Sequence, residues 1–150
     1  MAAWQEMSDE EERAIWESIA DRSGWLPPDS RTYEIVLWDK AESNRRALEA
    51  FRSCMPSGGR MYALDWQHPC YWFYPHEPFD DWLISVLPDG DFHHFLSEDL
   101  TLGTLGHPWE PSLCVFGRRL LQALDPSQLS CLGRILRERG PDPNGLTPKG

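Results

Sequence analysis

The apolar positions fall into two periodicities along the chain. Near the N-terminus, Ser8-Asp9-Glu10-Glu11 forms a capping box, in which Ser8 bonds the amide three residues on and Glu11 reaches back. Ile15, Trp16, Ile19 and Ala20 then lie on one helical stripe, which predicts a helix from Asp9 to Arg22 closed at Gly24. A second helix is predicted after Asp39, which has Glu42 three residues on, with Ala47, Leu48, Phe51 and Cys54 as its buried stripe. Arg118 to Leu124 starts a third helix that must stop before Pro126. Leu129, Leu132 and Leu136 suggest one more short amphipathic helix.

Between these lie segments of strand character. Tyr33 to Trp38 (YEIVLW) is β-rich, and Arg60 to Trp66 (RMYALDW) alternates, with Cys70 to Phe73 as its hairpin mate. The densest strand signal runs from Trp82 to Gly117. Leu83 to Leu87 and Phe92 to Leu96 flank Pro88-Asp89-Gly90-Asp91, where proline pre-sets φ and glycine accepts φ > 0, so the pair reads as a hairpin. Alternation puts Phe92, His94 and Leu96 on one face and His93, Phe95 and Ser97 on the other, so the two histidines point apart. One is expected to be half-buried with a backbone partner, the other exposed. Leu100 to Gly106 and Leu113 to Phe116 are two further short strands.

Hairpin-linked strands mixed with helices predict an α+β domain. Its sheet is mainly antiparallel, of about 5–6 strands, with an N-terminal helix and one or two C-terminal helices packed against it. The expected domain covers 1–139, and 140–150 (GPDPNGLTPKG, from Gly140) is expected to be a disordered tail.

Composition narrows the function classes. The formal charge is −10 and the isoelectric point about 4.8. That argues against nucleic acid as a partner, which needs basic surface, and is compatible with a basic protein. No apolar run approaches the length of a membrane span, and the acidic start lacks the layout of a signal peptide, so a cytoplasmic protein without a membrane partner is expected. Cys54, Cys70, Cys114 and Cys131 form no C-x-x-C pair and are expected to be reduced core residues. Eight tryptophans are many for 150 residues, and one or two of them are expected at the surface or lining a groove.

Candidate chemistry is sparse. Cys114 with His107, Glu110 or Asp99 has the types of a nucleophile, base and orienter, but it sits in Leu-Cys-Val-Phe, where a buried inert thiol is the ordinary outcome. Cys70 beside His68 has more polar company but no recognised motif. Of His68, His76, His93, His94 and His107, no pair has helical i, i+4 spacing and none belongs to a Cys/His knuckle, so no metal and no cofactor are expected. Glu98-Asp99 beside His107 is an acidic pair of the kind usually just solvated. Among 24 acidic residues, pairs drawn from Asp65, Asp89, Asp91, Glu98, Asp99 and Glu110 carry little weight as acid/base dyads. There is no P-loop, dinucleotide fingerprint or nucleophile elbow. Trp66-Gln67-His68-Pro69, Pro75-His76-Glu77-Pro78 and His107-Pro108-Trp109-Glu110-Pro111 are stiff loops rich in aromatic and histidine residues, suited to contact surfaces or simply to closing the sheet ends.

Two stretches together carry a resemblance. They are Tyr62-Ala63-Leu64-Asp65-Trp66-Gln67-His68-Pro69-Cys70-Tyr71, and the run from Pro88-Asp89-Gly90-Asp91 through Gly103-Thr104-Leu105-Gly106-His107-Pro108-Trp109-Glu110 to Leu113-Cys114-Val115-Phe116-Gly117. The chain from about Trp38 to Leu124 resembles a bacterial, mainly actinobacterial, family of proteins of unknown function, domain of unknown function 2716. The resemblance implies a bacterial cytosolic single domain and supplies no catalytic residues. Pro111 departs from the polar residue expected there and removes a backbone donor.

The function expected from the sequence is a non-enzymatic acidic protein-interaction domain of the inhibitor or immunity type, acting on a basic protein. The alternative is a small enzyme or ligand-binding domain with a site at one sheet end, built from Asp65, His68, Glu98, His107 and Trp109. The candidate contact residues are Asp65, Trp66, His68, Glu98, Asp99, His107, Trp109 and Glu110.

Overall fold

The structure is a computed structural model and describes residues 2–20, 27–124, 127 and 129–141. Both expected caps form. Ser8 N donates to Glu11 Oε1 at 2.9 Å and Glu11 N to Ser8 Oγ at 3.1 Å, opening α1 (Asp9–Ala20). Asp39 Oδ1 accepts the Glu42 amide at 3.0 Å and opens α2 (Lys40–Cys54). A third, short helix is α3 (Arg118–Ala123).

The strands are β1 (Trp4–Glu6), β2 (Ser30–Ile35), β3 (Met61–Asp65), β4 (Tyr71–Phe73), β5 (His93–Ser97), β6 (Gly103–His107), β7 (Ser112–Phe116) and β8 (Leu132–Arg139). They form one sheet in the order β1-β4-β3-β5-β6-β7-β2-β8, with every neighbouring pair antiparallel. The α+β class and the antiparallel sheet are as expected. Among the described residues the sheet has eight strands instead of five or six; the unforeseen ones, β1 and β8, both lie at its edges.

Strand alternation sends two sets of side chains to opposite faces. Met61 and Ala63 of β3, Phe95 of β5 and Leu113 and Val115 of β7 pack with Ala47, Phe51 and Cys54 of α2. Leu64, Leu96 and Phe116 from the same strands pack with Ile15 of α1 and with Trp72. The sheet is thus the middle of three layers.

Two expected elements are corrected. Leu83 to Leu87 is an irregular segment with bends, not a strand. The reason is that β5 already pairs along both edges, with β3 and β6, so no ladder is open to it. The segment instead seats Ile84, Val86 and Leu87 in the core, and Asn44 Oδ1 accepts the Val86 amide at 2.9 Å. Gly106 permits this approach: a Cβ there would lie 2.8 Å from Pro88 Cδ. The stretch expected as a helix from Leu129 is the strand β8. Its pairing with β2 shifts register at Thr32/Tyr33 and Tyr33/Ile35, and such irregularities break the period-two pattern that would have revealed a strand.

Smaller differences lie at element ends. β2 stops at Ile35, where the Val36 and Leu37 amides both turn to Cys131 O. The strand expected from Leu100 begins at Gly103, because Ser97 Oγ accepts the Thr101 and Leu102 amides in a tight turn. The expected end of α1 at Arg22 and Gly24, Trp25, and the tail beyond Pro141 lie outside the described residues. Among the described residues no helix is long and apolar enough to cross a membrane.

Neither histidine of the pair is exposed, contrary to expectation. His93 is buried. His94 packs between Trp16 and Phe92, with ring centroids at 5.8 and 6.2 Å, and its Nδ1 has no hydrogen-bond partner. Burial first, with the neighbouring His93 and His107 adding to it, pushes the His94 imidazole down to about 4. The unfolded chain binds a proton there at an ordinary 6.5, so His94 favours the folded state fully above that pH and progressively less as pH falls towards 4. Urea unfolding between pH 7 and 4.5 should therefore show a loss of stability that is smaller in His94→Gln, by on the order of 2–3 kcal/mol.

Candidate functional site

At one end of the sheet the last residue of β3 faces the first residue of β5: Asp65 is the register partner of His93. Both side chains point to the α2 face and are buried. Asp65 Oδ2 lies 3.2 Å from His93 Nε2. His93 Nδ1 is 2.9 Å from the carbonyl oxygen of Ser85. A carbonyl only accepts, so Nδ1 donates to it and the ring is fixed between the irregular segment and the sheet.

After Asp65 the chain turns through Trp66-Gln67-His68-Pro69 into β4. Asp65 Oδ1 accepts the Gln67 amide at 3.3 Å and contacts His68 Nδ1 at 2.9 Å, an aspartate-led turn that returns the histidine over its carboxylate. Asp91, just before β5, closes the group. Its Oδ2 accepts the Gln67 amide at 2.8 Å and lies 3.5 Å from His68 Nδ1, while its Oδ1 accepts the Phe92 amide at 2.9 Å. Among the described residues, Asp65, His68 and Asp91 place one donor atom each within 4.8 Å of one another.

Two carboxylates so close cannot ionise independently. Asp91 is the member held above the usual range, by burial and by the neighbouring Asp65. Burial also works against ionising Asp65, but the contacts with Asp91 and His68, the His93 charge and the Gln67 amide outweigh it and hold Asp65 below the usual range. The Asp65 carboxylate in turn raises the His68 imidazole above its ordinary value of 6.5, with a smaller contribution from Asp91.

Asp65, His68 and His93 line a cleft of about 630 Å³. Lys40 and Asp89, paired at 2.5 Å, continue the polar side. Trp82, Leu83 and Ile84 from the irregular segment form the apolar side.

The other sequence candidates do different things. Trp66 and Trp109 are exposed on the same sheet end; both meet Phe92 edge-on, at 5.8 and 5.2 Å. His107 Nδ1 accepts the Trp109 and Glu110 amides at 3.3 and 3.1 Å, so this histidine shapes its own turn. Glu110 binds Arg137 and Ser112. Glu98 and Asp99 lie at the opposite end of the sheet: Glu98 pairs with Arg60 at 3.2 Å, and Asp99 Oδ1 accepts the Ser97 and Thr101 hydroxyls. They do not meet Asp65 and His68.

Sequence reasoning did not single out His93, Asn44, Ser85 or Lys40 for this site, and treated Asp91 as one acidic residue among many. The available signal was Asp-x-x-His leaving one strand and Asp-x-His entering its neighbour. The cysteines are placed as core residues. Cys70 Sγ donates to Asp65 O at 3.4 Å, and burial pushes its thiol up to about 12. Burial likewise raises Cys114, and pushes Cys131 up to about 11.

Two measurements check this chemistry. In a histidine NMR titration His68 should titrate above 6.5, and Asp65→Asn should move its midpoint down. Cys70, Cys114 and Cys131 should resist iodoacetamide at pH 8 in the folded protein and react on unfolding, because the thiolate is the nucleophile.

Over 152 aligned residues the chain is 32% identical to the uncharacterized protein YxiI of Bacillus subtilis (strain 168), covering 83% of this chain and 94% of that protein. No solved structure matches it. Residues 30–121, which include the cleft, match the family described as Protein of unknown function (DUF2716), and the chain belongs to that family.

Proposed function

We propose that the protein is a small enzyme-like domain that binds a polar small molecule in the cleft and moves a proton on it through His68. The carrying observation is the Asp65–His68 contact at the cleft, at 2.9 Å. It engages Nδ1 and leaves Nε2 for a bound molecule. A carboxylate behind an imidazole is how proteins orient a general base and stabilise its protonated form. Cys70, Cys114 and Cys131 are poor nucleophile partners, since burial raises their thiols. The proton acceptor is therefore proposed to act on water or on a hydroxyl or amine of the substrate. Trp82, Leu83 and Ile84 favour a molecule with one apolar side, and Lys40, Asp89 and His93 favour a polar opposite side.

A second reading has its own observation. Trp66 and Trp109, 51% and 68% exposed, flank Phe92 on the same sheet end. Exposed aromatic residues and a charge of −10 suit an inhibitor or immunity domain that docks a basic protein. The buried carboxylate–imidazole group at the cleft is not needed for that role, so the small-molecule reading is preferred. A cytoplasmic location is part of both proposals.

A thermal-shift screen against polar metabolites separates them. A ligand of the cleft should raise the melting temperature of the wild type and of Trp109→Ala, and lose at least tenfold in affinity with His68→Ala. Salt-sensitive binding of a basic protein that needs Trp109 and ignores His68 would put the docking reading in its place.

A further inference from the structure

We propose that Asp65, His68 and Asp91 form a binding site for one first-row divalent metal ion at the mouth of the cleft. The inference rests on the cleft as a ligand site. It also changes what His68 does there, because the ion takes the place of the proton between His68 and the carboxylates.

The donor spacing fits an ion. His68 Nδ1 lies 2.9 Å from Asp65 Oδ1 and 3.5 Å from Asp91 Oδ2. Ligand atoms bound at about 2.0–2.2 Å, at octahedral to tetrahedral angles, stand roughly 2.8–3.6 Å apart. The two carboxylate oxygens stand within 4.8 Å of each other, so an ion would draw them the remaining distance onto one centre.

The charge pattern also calls for a cation. Asp65 and Asp91 are buried, at 9% and 3% exposure, with their carboxylates converging. A metal ion compensates both, where a proton compensates one. Outer partners already fix the donors. Asp65 Oδ2 rests against His93, whose far nitrogen is held by Ser85 O. Asp91 is anchored by the Gln67 and Phe92 amides. Such backing orients ligands in metal sites and keeps them basic.

The open side is the cleft. The His68 side chain is 64% exposed, so coordination positions beyond the three protein donors face water or a ligand. One imidazole with two carboxylates favours zinc, manganese or iron over calcium, which takes oxygen donors. Protons compete for His68 and Asp91, so affinity must fall with pH.

The test uses the full chain, stripped with EDTA and desalted. Zinc and manganese are titrated separately by calorimetry, with stoichiometry read by native mass spectrometry. The expected result is one equivalent of metal, weakened at least tenfold by Asp91→Asn and by His68→Ala and unchanged by Asp99→Asn. In case a variant fails to fold, substoichiometric manganese on the wild type should selectively broaden the amide signals of Gln67 and Phe92. Absence of stoichiometric binding, binding indifferent to Asp91 and His68, or broadening elsewhere would overturn the metal site. If metabolite binding persists in EDTA while no metal binds, this inference falls and the small-molecule reading stands. If metal binds as expected and no metabolite does, the inference stands and that reading falls.

Discussion

The pairing of β3 with β5 is the constraint on which the rest of the molecule depends. Met61 opposite Ser97 at one end and Asp65 opposite His93 at the other fix one register over the full length of both strands. Because side chains alternate, that register decides at once which residues meet α2 and which meet α1. A slip of one residue would put Phe95 on the α1 face and take His93 out of reach of Asp65. The same choice thus sets both cores and the polar sheet end. The hydrophobic residues give it its free energy, since Met61, Ala63, Leu64, Phe95 and Leu96 are all fully buried.

A consequence is that the polar group costs free energy which the cores must supply. Burying a carboxylate is unfavourable unless partners replace its water, and here two are buried together. The structure answers with backbone amides from Gln67 and Phe92 and with two imidazoles. The arrangement would be wasteful as surface decoration. Glu98 and Asp99, at the far end of the same strands, show the cheaper solution: an exposed ion pair with Arg60 and a hydroxyl-capped turn. Perturbed, mutually dependent ionisable groups beside a cleft are where proteins tend to place chemistry.

Local signals in the sequence were legible where their physics is local. The Ser8/Glu11 box and the Asp39 cap act over three residues, and both helices start where those residues say. The β3–β4 hairpin was legible because its loop is short. Leu83 to Leu87 misled because an apolar run reports burial and not the availability of a strand edge; that edge was taken by residues remote in sequence. β8 was hidden by bulged pairing with β2, roughly a hundred positions away along the chain. In the site, Asp65 and His68 stood out because they share one turn. Their partners Asp91 and His93 arrive by strand pairing across more than 20 residues, and no local pattern marks that meeting.

The apolar wall of the cleft differs in kind from the polar one. Asp65 and His93 sit on paired strands, whereas 82–87 belongs to no ladder. It is seated by the packing of Ile84, Val86 and Leu87, by Asn44 on the Val86 amide, and by His93 on the Ser85 carbonyl. Detaching it leaves every strand–strand ladder intact. It is held by buried side chains and single hydrogen bonds and not by strand pairing. The apolar wall of the cleft is thus tied to the polar one through one of the site's own histidines, and the two walls are placed as a single unit.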